Sequence, residues 1–190
     1  MMPIPQSKYY TADEFFKIIQ ESNERFELRN GEIVAMSSPS TIHQRLIKRL
    51  TSTIDNYIIS NKGTCEVFPA PYDVKLDDYN VVIPDVSIIC NPSKIDSKRC
   101  NGAPDWIIEV VSSNYKDDYV RKLSLYEKFG VREYWIVDPK KHTTFVYFFE
   151  DMKEDSNIIG FYDFNQTIPV GIYKDKPIQL EINIAKLLEL

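Results

Sequence analysis

The stretch APDWIIEVVSSN, residues 103–114, has the composition of a strand covered on both faces, because Trp106, Ile107, Ile108, Val110 and Val111 form a nearly unbroken apolar run. Glu109 interrupts that run. Burying an unpaired carboxylate costs on the order of several kcal/mol, so a cation or a basic side chain must stand close to it. Two neighbouring segments have the same character: VVIPDVSIIC (81–90) and REYWIVDP (132–139) also read as buried central strands. KDDYVRKLSLYEKFGV (116–131) reads as a helix stopped at Gly130, and NPSKIDSKRCNGAP (91–104) as a loop with the basic pair Lys98–Arg99.

Further out, TADEFFKIIQES (11–22) is a short helix in which Thr11 and Glu14 have the spacing of a capping box. RFELRNGEIVAM (25–36) is a β-hairpin, since Asn30–Gly31 supplies the two positive φ angles of a tight turn. STIHQRLIKRLTSTIDNYIIS (40–60) is the long helix, with Leu46, Ile47, Leu50, Ile54 and Ile58 on one side and Arg45, Lys48 and Arg49 on the other. CEVF (65–68) and YDVKLDD (72–78) are strand-like, the second alternating Tyr72, Val74 and Leu76 with Asp73, Lys75 and Asp77. TTFVYFF (143–149), the charged loop EDMKEDSN (150–157), IIGFYDF (158–164), QTIPVGIY (166–173) and a short terminal helix around 182–190 complete the chain. The expected architecture is one mixed α/β (α+β) domain over 1–190, with a core at about 10–150 and a β-rich extension plus helix at about 151–190.

Composition narrows the class. A chain of 190 residues with 43% hydrophobic and 27% charged residues is globular in composition, and no run of about 18 uncharged apolar residues suggests a membrane span. Cys65, Cys90 and Cys100 are an odd set without CxxC spacing, so free thiols in a reducing cytoplasm are expected. The net charge of −5 argues against a protein that coats nucleic acid by bulk electrostatics, but a metal-dependent nuclease concentrates acid at its metal and needs only a local basic rim.

Of the carboxylates near Glu109, Asp105 lies four residues away on the same strand, roughly 13 Å at about 3.3 Å per residue, too far to share one cation. Asp85, in the Pro84–Asp85 pair of the preceding strand, can approach Glu109 across strands to within roughly 5 Å, with Pro84 marking an edge or bulge. A strand-bending role for Asp85 and a buried ion pair for Glu109 remain alternatives. The candidate basic partner is Lys122, which borders the apolar stripe of the following helix with Leu125 and Phe129 and sits four residues after Asp118. Two acids and a lysine suit metal-assisted phosphodiester hydrolysis, in which a cation polarises the phosphate and activates water while the ammonium stabilises developing charge.

In order, FELRNGEIVAMS, STIHQ, IPDVSIIC, GAPDWIIEVVS, DYVRKLSLY and GVREYWIVDP resemble the Uma-type restriction endonuclease family, a branch of the PD-(D/E)XK nuclease superfamily, over most of residues 10–150. The resemblance implies a restriction-endonuclease-like core, a mixed central sheet flanked by helices, and Mg²⁺- or Mn²⁺-dependent cleavage of nucleic acid, DNA in the first instance. It makes Asp85 and Glu109 the metal ligands. The superfamily's usual lysine position, two residues after the glutamate, is Val111 here; the Uma-type pattern places it on the helix, at Lys122. Glu27, His43 and Asp118 also match family positions, peripheral to the site: Glu27 is a third acid bordering it or the polar face of a strand, His43 a satisfied, partly buried histidine, and Asp118 the acid found four residues before the lysine or a helix-surface pair. Cleavage of a duplex implies a homodimer. A binding module that keeps the nuclease fold without catalysis is the competing expectation.

Overall fold

A computed structural model describes residues 9–20, 22, 24–112, 117–149 and 158–189; the loop expected at 150–157 lies outside them. Helix α1 (Ala12–Ile19) begins with the expected reciprocal cap: the Thr11 side chain accepts from the Glu14 amide, and the Glu14 carboxylate accepts from the Thr11 amide at 2.9 Å. It buries Ala12 and Phe15 against the hairpin of β1 (Phe26–Arg29) and β2 (Glu32–Ala35). The two turn residues, Asn30 and Gly31, have φ of 48° and 81°. Helix α2 (Thr41–Ser60) is capped by Ser40 and buries Leu46, Leu50 and Ile54 completely, following its apolar periodicity.

Two main sheets organise the described residues. The larger, in the order β11-β10-β9-β8-β6-β3, contains β3 (Glu66–Pro69), β6 (Val86–Ile89), β8 (Trp106–Val110), β9 (Glu133–Asp138), β10 (Thr143–Phe148) and β11 (Ile158–Asp163). Only β8 and β9 run parallel in it, so the sheet is mixed. Parallel neighbours need a crossover connection. Here it ends in a π-helical turn, Asp117–Lys122, that runs into α3 (Leu123–Phe129) and stops at Gly130 with φ of 79°. The smaller sheet, β2-β1-β5-β4-β7, adds β4 (Asp73–Lys75), β5 (Val81–Val82) and β7 (Arg99–Asn101).

Both faces of the larger sheet are covered, which is why its central strands read as continuous apolar runs. On one face, Leu46, Leu50 and Ile54 of α2 join a cluster with Val86, Ile88, Trp106, Ile108 and Trp135. On the other, Ile107, Tyr134 and Ile136 share a cluster with Tyr126 of α3 and with Val74 and Val82 of the smaller sheet. The C-terminal part contributes β11 to the larger sheet, a separate pair of β12 (Thr167–Pro169) and β13 (Glu181–Asn183), and helix α4 (Ile184–Leu188). Glu133, fully buried, ties this part to the sheet by accepting from the Trp135 indole at 2.6 Å and the Ile172 amide at 2.9 Å.

Two expectations are corrected. VVIPDVSIIC is not one central strand: Val81–Val82 belongs to the smaller sheet and Val86–Ile89 to the larger. Pro84 has no amide to donate to a ladder, and the chain changes sheets around it. Nor are all three cysteines free. Cys65 and Cys90 form a disulfide, because the register Glu66↔Ile89 makes them the next cross-strand pair. Cys100 is a free, fully buried thiol whose pKa burial pushes up to about 11, so it is inert at neutral pH.

At Gly31, a methyl group would meet the Tyr9 ring at 3.0 Å in a backbone region that side chains disfavour. Gly31→Ala is expected to lower the unfolding free energy by about 1–2 kcal/mol in urea titration. An unchanged midpoint would contradict the turn assignment.

Candidate active site

The site is assembled where the chain changes sheets. Extending the antiparallel register Val86↔Ile108 by one residue sets Asp85 opposite Glu109, the cross-strand juxtaposition expected from the sequence. Asp85 is 8% exposed, and its Oδ2 accepts from the Val110 amide at 2.8 Å, which holds the carboxylate against the Glu109 strand. The same oxygen lies 3.0 Å from Nε2 of His43 in the first turn of α2. His43 was expected to be a satisfied histidine. It is half so, since its buried Nδ1 has no partner among the described residues.

Glu109 is 3% exposed at the end of an otherwise apolar strand. Its compensation is Lys122, whose Nζ donates to Oε1 at 2.7 Å and is itself 5% exposed. The π-helical turn ends at Lys122 and sets its direction. One α-helical turn later, the Tyr126 hydroxyl donates to the same Oε1, also at 2.7 Å. Tyr126 was not singled out in the sequence; its spacing of four from Lys122, on the same helix side, was the available signal. Burial first, then the charges of Glu109 and Glu27, hold the Tyr126 hydroxyl well above the ordinary tyrosine pKa, so it remains a donor.

Glu27 is brought to the same place from the smaller sheet. It is fully buried, its Oε1 accepts from the Ile83 amide at 3.0 Å and lies 3.8 Å from Lys122 Nζ, and its Oε2 accepts from Arg29 Nε at 2.8 Å. Arg29 Nη2 also pairs with that oxygen. Of the alternatives for Glu27, a solvent-facing strand residue is therefore excluded. The side chain of Asp118 lies outside the described residues. Asp105 does not join this group: its carboxylate accepts from the Cys90 amide at 2.7 Å and pairs with Arg132 at 3.2 Å, so it binds the start of β8 to its neighbours. Val111 is buried in the apolar cluster that includes Tyr126, which is incompatible with a lysine function there.

Whether these residues suit a divalent cation is decided by their donor atoms. Among the described residues, no group of three or more His, Cys, Asp or Glu side chains is arranged to hold a metal. A dedicated protein cage is therefore absent from this part of the chain. Mg²⁺, however, keeps most of its shell as water and substrate oxygens and takes one or two carboxylates. Asp85 and Glu109 fit that requirement in kind: both are hard oxygen donors, the register sets them at opposite positions, and Asp85 Oδ1 accepts from no described residue.

The charges also set a pH dependence. Burial opposes ionisation of Glu27, but Lys122, Arg29 and the Ile83 amide outweigh it and hold its pKa below the usual 4.5. A folded-state pKa below the unfolded one stabilises the protein above about pH 4.5, and the stabilisation disappears as pH falls through the folded value. Glu27→Gln is expected to be less stable than the native chain by about 3 kcal/mol at pH 7. That gap should close below about pH 4.5 in urea unfolding; a gap independent of pH would refute the ionic role.

Residues 12–170 match the family model Uma2, described as "Putative restriction endonuclease". The chain is 27% identical over 103 residues to "Uncharacterized protein slr1290" of Synechocystis sp. (strain ATCC 27184 / PCC 6803 / Kazusa), covering 54% of this chain and 53% of that protein. It thus spans about half the length of that curated relative. A crystal structure described as "a putative nuclease belonging to DUF820" from Anabaena variabilis superposes with a TM-score of 0.72 at 24% identity, covering 97% of both chains, which establishes a shared fold. The match over 12–170 takes in both sheets and every residue gathered around Glu109, and the chain belongs to the Uma2 family.

Proposed function

We propose that this protein is a divalent-metal-dependent endonuclease that hydrolyses phosphodiester bonds, with DNA as substrate, and that Asp85, Glu109 and Lys122 carry the reaction. The observation that supports this most is the buried Glu109–Lys122 pair with a second buried carboxylate, Asp85, at the register position opposite Glu109 and bonded to the Val110 amide. The family's description as restriction endonucleases and the nuclease named in the Anabaena structure are consistent with it.

In this reading Asp85 and Glu109 hold Mg²⁺ or Mn²⁺, which when bound polarises the scissile phosphate and lowers the pKa of water. The residues of the chain do the positioning. The Val110 amide and His43 orient Asp85, so its free Oδ1 can face a ligand. Lys122 holds its charge between Glu109 and Glu27, where an ammonium can stabilise negative charge developing on phosphate oxygens. Because Lys122 comes from a helix, its flexible stem can turn from Glu109 to a phosphate without disturbing the strand. The alternative, a binding module that retains the fold, has no need of these buried charges beside a carboxylate oxygen left open on Asp85.

Pure protein with Mg²⁺ or Mn²⁺ is expected to nick plasmid DNA, and chelation should abolish this. Lys122→Met should slow nicking by about 10²-fold, and Glu109→Ala or Asp85→Asn by at least as much. Nicking at the native rate by Glu109→Ala would refute the assignment.

A further inference from the structure

Two donors meet on one oxygen of Glu109, and their chemistry differs. The terminal torsion of a glutamate is broad, so one hydrogen bond leaves the carboxylate plane free to turn. Lys122 donates from the end of a four-carbon stem, so it supplies charge but little angular restraint. Tyr126 donates from a rigid ring that is completely buried, 5.0 Å from the Tyr134 ring in an edge-to-face contact, within the cluster that includes Val111, Val131 and Ile107. A hydroxyl on so constrained a ring fixes where the oxygen it touches must lie.

We propose that Tyr126 is a positioning residue for Glu109: its hydroxyl, 2.7 Å from Oε1, pins the carboxylate in the orientation that lets Glu109 and Asp85 share a cation. The inference rests on the metal-binding reading of Asp85 and Glu109. A merely structural tyrosine would also be buried and hydrogen-bonded, and the two roles separate in metal affinity, because groups that orient metal-binding side chains typically affect it by 10–100-fold. The spacing is consistent with this role. Lys122 and Tyr126 lie one turn apart on one side of the helix, so a single element delivers both the charge and the restraint.

The test is a calorimetric titration of the native chain, Tyr126→Phe, Glu109→Ala and Tyr147→Phe with Mn²⁺ alone, with thermal unfolding of each. Tyr147→Phe is a control for loss of a tyrosine hydroxyl elsewhere on this face, since the Tyr147 ring stacks on Tyr134. The expected result is that Tyr126→Phe weakens Mn²⁺ binding by about 10–100-fold, Glu109→Ala abolishes it and Tyr147→Phe leaves it unchanged. The Tm of Tyr126→Phe should lie within about 10 °C of native. Binding by Tyr126→Phe within twofold of native, with Glu109→Ala inactive in binding, would overturn the role of Tyr126 and leave the metal reading standing. Native protein that takes up no Mn²⁺, or Glu109→Ala that binds like native, would overturn both. If Tyr126→Phe does not fold, Tyr126→Met is titrated in its place under the same criteria.

Discussion

The burial of Glu109 in its strand rests first on Lys122. Desolvating a lone carboxylate in the middle of a two-sided sheet would consume a large part of a marginal folding free energy, and the 2.7 Å bond from Lys122 offsets that cost. The bond also constrains the chain between the two residues. Lys122 must stand over the strand that carries Glu109, and the helix that follows β8 and precedes its parallel neighbour β9 places it there. The ion pair and the sheet topology are therefore one constraint seen at two scales.

The same logic extends to the smaller sheet. Glu27 stands on β1, in a different sheet from Glu109, yet it accepts from the Ile83 amide and approaches Lys122. Ile83 immediately precedes the proline at which the chain changes sheets, so Glu27 grips the joint between the two sheets while sharing the ammonium with Glu109. Removing any one charge leaves the others under-compensated in a low-dielectric setting. Arg29, two residues along β1 and on the same strand side, completes the balance around Glu27.

That the basic partner of Glu109 stands on the helical segment and not on its own strand has a chemical consequence. At position 111 a side chain points into the apolar cluster with Tyr126 and Val131, where an ammonium would be stranded; valine fills that space. The helix instead delivers Lys122 from above and brings Tyr126 along one turn later. An arrangement of this kind separates packing from charge: β8 keeps its apolar neighbours, and the polar groups enter from an element that the strand does not have to accommodate.

Much of this was legible in the chain itself, for a physical reason. The Asn30–Gly31 turn, the Thr11–Glu14 cap, the amphipathic α2 and the stop at Gly130 are set by φ preferences, local hydrogen bonds and apolar periodicity, all of which act within a few residues. Strand geometry also set Asp105 aside and pointed to Asp85, whose register position is opposite Glu109. The partners that bridge distant segments were not legible. Tyr126 on Glu109, Glu27 on Ile83, Glu133 on Ile172 and the Cys65–Cys90 disulfide are separated by 17, 56, 39 and 25 residues. The split of 81–90 between two sheets belongs with them: Pro84 announces a break, but which sheet each half joins depends on edges built by residues far away. By itself, the sequence determined the local elements, the charges that had to be compensated and Lys122 as a candidate partner of Glu109, since backbone preference, desolvation and helix spacing act over short stretches; only the tertiary structure decided which remote groups complete the compensation, because that depends on the register and crossing of strands far apart in the chain.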